Sequence, residues 1–302
     1  MGDVERPRLE GSVAVRDGRR LGFASFGDPL GQAVVWMHGT PGARRQIPLE
    51  ARAFAEREGL RIIGVDRPGV GSSTRHVYRD LLDWTEDLTI LADTLGVGRL
   101  HVIGLSGGGA YALAAGAALA DRIDRVVVIG GVAPTVGPDA AEGGAMALAK
   151  LASPVLRAGR VPIGIALTTA VRLVRPLGGP ILDAYRLVQP EGDKRLLGRP
   201  EFKAMFLDDL LNGSRKQITA PLSDLLLFTR DWGFRLEDVQ VPVLWWHGDH
   251  DHIVPFAHGQ HCVQRLPNAR LFPMEGESHL GGLGLVSVVL TGLLADMPLT
   301  GT

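Results

Sequence analysis

Short apolar runs alternate along the chain with stretches in which apolar residues recur every three or four positions. The runs at 33–37 (AVVWM), 60–65, 100–103, 125–129, 241–246 and 269–272 have the length and composition of buried strands. Between them, 46–58, 80–95, 255–266 and 280–294 read as helices. In the second of these, Leu81, Trp84, Leu88, Leu91 and Leu95 fall on one face and Asp80 stands where an N-cap belongs. Residues 11–27 read as two strands folded about Asp17-Gly18, a hairpin signal. Buried strands separated by helices imply an α/β protein whose mostly parallel sheet is covered on both faces.

The alternation stops after Pro134. From there to Trp232 the chain is helical in pattern and repeatedly broken by proline, and it shows no convincing strand. The expected organisation is one α/β core, 1–133 and 233–302, with a helical insertion at 134–232. Ligands of open α/β sheets bind at the carboxyl ends of the strands, and an insertion leaving from there would form a lid. A subdomain that dimerises the chain into a homodimer is the alternative for the same stretch.

Composition narrows the class. A formal net charge of −1 over 302 residues leaves no electrostatic footprint for nucleic acid. The single cysteine, Cys262, excludes an internal disulfide and points to a reducing, cytoplasmic setting. The opening MGDVERPRLEG lacks the apolar stretch of a secretory signal, and Arg6 stands where a myristoylation motif wants Ser or Thr. The apolar tract at 280–294 is shorter than the roughly 20 residues that span a bilayer, so no membrane span is expected.

The chemistry collects at strand ends. Gly104-Leu105-Ser106-Gly107-Gly108 fits Gly-x-Ser-x-Gly between a strand and an Ala-rich helix. So tight a turn strains the serine backbone, crowds the flanking residues, and presents both the hydroxyl and the N–H of Gly107. A serine hydroxyl needs a base, and the base needs an orienting acid. His279, in the loop Glu275-Gly276-Glu277-Ser278-His279 after the last strand, is the expected base. The acid lies in His247-Gly248-Asp249-His250-Asp251-His252. Asp251 is favoured because it precedes the turn into Val254-Pro255; Asp249 reads as a turn former, and Asp139 is an outside candidate. The same run echoes in outline the zinc-binding signature of metallo-β-lactamase-type sites, but no second His-rich tract would complete it. His38-Gly39-Thr40-Pro41-Gly42 supplies an oxyanion loop: the N–H of Thr40 donates, Gly39 permits close approach, and His38 holds the loop by hydrogen bonds.

Together these stretches resemble the α/β-hydrolase superfamily. HGTPG is similar to its oxyanion loop, DRPGVGSS to its Asp-x-x-Gly-x-Gly-x-Ser loop and GLSGG to its nucleophile elbow. GDHDHIVP is similar to its acid loop, and ESH carries its final histidine. The resemblance implies an eight-stranded, mostly parallel sheet, a helical cap, and a Ser106, Asp251 and His279 triad with Thr40 and Gly107 as oxyanion donors. Serine at 106 argues against dehalogenases and epoxide hydrolases, which place Asp there. HGTPG is similar to the loop of proline iminopeptidases, but those carry Trp where this chain has Gly107.

The expected function is cofactor-free and metal-free hydrolysis of an ester or related acyl bond of a small apolar substrate. Aminopeptidase, acyltransferase or carbon–carbon hydrolase chemistry on the same residues is the nearer alternative. A substrate amine would then need a carboxylate from the insertion, with Asp183, Glu201, Asp208 and Asp209 available. A non-catalytic ligand-binding module is the more distant one.

Overall fold

The computed structural model describes residues 5–295. Strands β1 (Leu9–Ala14) and β2 (Arg20–Gly27) form the expected hairpin. Its turn puts both Asp17 (φ 58°) and Gly18 (φ 68°) in the left-handed region, which Asp and Gly tolerate better than most residues. The alternating units follow as β3 (Gln32–Met37), α1 (Leu49–Glu58), β4 (Leu60–Val65), α2 (Asp83–Thr94), β5 (Leu100–Leu105), α3 (Gly108–Ala118) and β6 (Ile123–Ile129). After a helical segment, β7 (Val243–Gly248), α10 (Phe256–Val263), β8 (Ala269–Met274) and α11 (Val286–Leu294) complete the core.

All eight strands join one sheet in the order β1-β2-β4-β3-β5-β6-β7-β8. The pairs β1/β2 and β2/β4 are antiparallel and the rest parallel. Alternate side chains serve opposite faces, as the period of a strand requires. Val35, Val102, Val128 and Trp245 pack with Trp84, Tyr111 and Cys262 from α2, α3 and α10. Val34, Ile103, Ile129 and Leu244 pack with Phe54 and Val289 from α1 and α11 on the other face.

Helix ends depart slightly from the pattern. Helix α1 begins at Leu49 with Pro48 as its N-cap, because Gln46 is drawn into the loop before it. Helix α2 begins at Asp83; Asp80 still meets its entry, accepting the Asp83 N–H at 3.0 Å. Gly281–Leu285 winds as a 3₁₀ turn, so the last α-helix starts only at Val286.

Between β6 and β7 run α4 (Gly144–Ala158), α5 (Arg160–Val174), α6 (Gly178–Leu187), α7 (Glu191–Leu197), α8 (Pro200–Gly213) and α9 (Ala220–Phe228). Leu196, Leu197, Phe202 and Met205 of α7 and α8 join the apolar cluster on the α1/α11 face. Leu227 and Phe228 of α9 join the opposite one. Among the described residues no single helix is long and apolar enough to cross a membrane.

Candidate active site

The parallel strands end together at one edge, and the loops that leave them carry Thr40, Ser106, Asp251 and His279. The elbow after β5 holds Ser106 at φ 52°, a conformation L residues rarely adopt. Two hydrogen bonds fix it: Ser106 N–H donates to Ile129 O at 2.8 Å, and Gly109 N–H donates to Ser106 O at 2.9 Å. A Cβ at 104 would lie 2.4 Å from Gly108 O, and one at 108 would lie 2.2 Å from Met37 O. Only glycine fits at either position.

His279 Nε2 lies 3.0 Å from Ser106 Oγ, and its Nδ1 lies 2.7 Å from Asp251 Oδ2. With Nδ1–H donating to the carboxylate, Nε2 is free to accept the serine proton. All three residues are buried. Asp251 Oδ1 accepts the N–H groups of Ile253 (2.9 Å) and Val254 (2.8 Å). Burial works to raise the Asp251 pKa, but hydrogen bonds from His247 and His279 outweigh it and hold the carboxyl well below the usual range. Its charge is therefore kept.

The competing acids point elsewhere. Asp249 Oδ1 accepts Gly276 N–H across two loops, and Asp139 binds Arg235 and the N–H of Leu236. His247 is buried behind Asp251: Trp245 Nε1–H donates to its Nδ1 and its Nε2–H donates to Val254 O. Among the described residues no three His, Cys, Asp or Glu side chains form a group that could hold a metal ion.

Around the serine, the N–H groups of Thr40 and Gly107 donate to nothing among the described residues. A Cβ on Gly107 would lie 2.6 Å from Thr40 Oγ1, so the two loops touch. Gly39 offers no free donor, because its N–H is spent on Gln46 Oε1 at 2.6 Å. It lines the cavity beside Thr40. His38 donates from Nδ1 to Gly39 O and accepts Arg67 N–H at Nε2. Burial, then the Arg67 charge, pushes its pKa well below the ordinary histidine value, so it stays neutral.

Three buried carboxylates from the helical insert reach these loops, and no local sequence signal marks them. Asp224 of α9 accepts from Arg67 Nε (3.0 Å), Thr40 Oγ1 (3.0 Å) and Tyr111 Oη (2.8 Å). Arg67 is itself 1% exposed and also donates to the carbonyls of His38 and Gly39. Asp209 of α8 accepts the N–H groups of Ala43 and Arg45, each at 2.9 Å. Asp193 of α7 brackets His279: its Oδ1 accepts from Ser278 Oγ, from Leu280 N–H (2.8 Å) and from Gly281 N–H (3.0 Å).

A cavity of about 400 Å³ opens over Ser106 and His279. Its wall is Val174, Ile181 and Leu182 on one side and Phe206, Leu207 and Leu210 on the other. Among the described side chains no Asp, Glu, Lys or Arg lines it. Asp183, Glu201 and Asp208 are paired with Lys203, Arg199 and Arg45. Ser214 Oγ, buried in the wall, has no hydrogen-bond partner among the described residues.

A family model described as the alpha/beta hydrolase fold matches residues 32–283. A 2-hydroxy-6-oxononadienedioate/2-hydroxy-6-oxononatrienedioate hydrolase of Burkholderia vietnamiensis is 30% identical over 254 residues, covering 80% of this chain and 78% of that protein. A proline iminopeptidase of Xanthomonas citri is 38% identical, but over 113 residues only, 36% of this chain and 35% of that one. Among solved structures, an esterase from Exiguobacterium antarcticum superposes with a TM-score of 0.68 at 19% identity, over 94% of this chain and 99% of its own.

Proposed function

The chain belongs to the α/β-hydrolase fold family, and on that premise we propose that it is a serine hydrolase cleaving an ester or related acyl bond whose acyl part is apolar. The observation that carries this reading is the hydrogen-bond relay Ser106–His279–Asp251 opening on a cavity whose described walls are largely apolar. His279 takes the proton of Ser106 as its oxygen attacks the carbonyl carbon. The N–H groups of Thr40 and Gly107 stabilise the oxyanion, each such donor being worth about 3 kcal/mol in the transition state. Return of the proton to the leaving oxygen frees the alcohol, and water activated by His279 then releases the acid. Asp251 holds the imidazole tautomer and offsets its charge.

The residues above Ser106 form the cap of this reading, within 134–232, and the substrate is a small molecule. Specific features weigh against the alternatives. An aminopeptidase substrate presents an amine, for which the wall offers no carboxylate among the described side chains; a dioate presents carboxylates, for which those side chains offer no cation. The test is hydrolysis of p-nitrophenyl esters of graded chain length, with fluorophosphonate labelling of the serine. The Ser106→Ala variant is expected to fold, to escape labelling and to lose turnover by at least about 10⁴-fold. Wild-type rates in that variant would end the proposal.

A further inference from the structure

Of the seventeen large apolar side chains exposed among the described residues, twelve lie between Leu148 and Val188. Their spacing is helical. Leu148, Leu151 and Val155 stand at i, i+3 and i+7 on α4, opposite its buried Met146 and Ser153. Ile181, Tyr185 and Val188 repeat the interval along and just past α6. Helices α5 and α6 together have the apolar content of a membrane span but meet across a 100° bend. A soluble monomer rarely leaves so large an apolar surface without a use for it.

The charge on this surface has one sign. Residues 144–188 contain six Lys and Arg against a single acid, Asp183, in a chain of net charge −1. Lys150, Arg157, Arg172 and Arg186 are exposed and meet no carboxylate among the described residues. Asp183 is already neutralised by Lys203. Val174, Ile181 and Tyr185 are at once exposed and part of the wall over Ser106, so the cavity opens on this same surface.

We propose that the outer surface of α4–α6 docks on an anionic lipid bilayer, with its apolar side chains in the headgroup boundary and its cations on the lipid phosphates. The combination of apolar side chains and unpaired cations is what an interfacial helix needs, and each cation near such a surface is worth about fivefold in partition. A second copy of the chain fits less well. A two-fold interface would set this patch against itself, cation facing cation. Docking does not depend on the chemistry at Ser106, but it places the cavity mouth at the source of apolar esters.

The experiment is co-sedimentation of the full chain with vesicles of phosphatidylcholine containing about one-third phosphatidylglycerol, against pure phosphatidylcholine, with light scattering for oligomeric state. Binding to the anionic vesicles is expected to be at least about tenfold stronger and to weaken as salt rises. The double variant Leu151→Glu/Leu173→Glu should lose at least about tenfold in that binding, with unchanged fluorophosphonate labelling of Ser106 and short-ester hydrolysis. Should it misfold, Arg157→Glu alone must weaken binding by about fivefold or more. Equal affinity for the two vesicles, no binding to either, or a dimer that the double variant splits while vesicles go unbound would each overturn the proposal. None of these results touches the labelling of Ser106, so failure here is separable from failure of the hydrolase reading.

Discussion

The two halves of the helical insert are built on opposite plans. Helices α7–α9 send three buried carboxylates inward, and each one ends on a loop beside Ser106: Asp193 on the His279 loop, Asp209 and Asp224 on the loop of Thr40. Helices α4–α6 send no carboxylate inward among the described residues, and they expose most of the outward-facing large apolar side chains described. The first half is therefore a structural extension of the site. The second is a wall and an outer surface. A swing of all six helices as one body would have to break Arg67–Asp224 and the Asp193 bonds together, bonds in which α4–α6 take no part.

The sharpest way to break this comparison is at Asp224. Arg67 is fully buried beside it, and removing one partner of a buried pair strands the other charge at about 3–5 kcal/mol. Asp224→Asn should lower stability to urea by that order and loosen Thr40, which loses its acceptor. The double change Arg67→Met/Asp224→Leu should recover much of the stability but not the turnover, because Thr40 then lacks both partners. If the double variant were as active as the wild type, the tether would be only a packing feature.

Asp193 comes next. It never touches the reacting atoms, yet it holds the residues on both sides of His279. A misplacement of about 1 Å in a catalytic group costs about 10²-fold. Asp193→Ala should therefore lower kcat by about 10–100-fold with little change in KM, since the cavity wall is intact, and slow fluorophosphonate labelling in step. Asp193→Asn keeps one acceptor and should recover part of the loss. A change confined to thermal stability, with kcat untouched, would reduce Asp193 to a strut.

These tethers also mark where legibility in the sequence ends. Ser106 could be named from its neighbours because the elbow demands glycine at 104 and 108, a requirement contained in five residues. Strands and core helices were legible for the same reason: each buries a face with a short local period. The choice between Asp249 and Asp251 was finer, resting on the turn whose N–H groups at 253 and 254 bind Asp251. Arg67–Asp224 and Asp193–Leu280 join residues 157 and 87 apart, and nothing local distinguishes these acids from solvated ones. The outline of a zinc signature around His247 has a different origin: His247 is buried against Asp251, 3.4 Å from its Oδ2.

Asp209 tests the tethered half through pH. Burial, reinforced by the charge of Asp66, lifts its pKa to about 7, whereas in the unfolded chain it titrates near 4. Above about pH 4 the unfolded chain has released this proton while the folded chain keeps it, so stability falls as pH rises toward 7 and levels off beyond. Between about pH 6 and 8 the loss from this group is about 1.4 kcal/mol. Asp209→Asn should flatten that part of the urea-stability profile. An unchanged slope would mean that the carboxyl is ionised throughout and that Ala43 and Arg45 are held by a charge.

The smallest effect belongs to the other half. Leu148 is 72% exposed, so Leu148→Gln removes little buried area and strands no polar group. Its expected cost is under about 0.5 kcal/mol, with hydrolysis of a short soluble ester unaltered. The value of so quiet a variant lies in its pairing with Asp193→Ala, a change of similar size in the same insert. Equal losses from the two would mean that α4 is packed as tightly into the site as α7, and the division of the insert would fail. A loss of kcat in one and none in the other is what a fixed inner half and a free outer surface require.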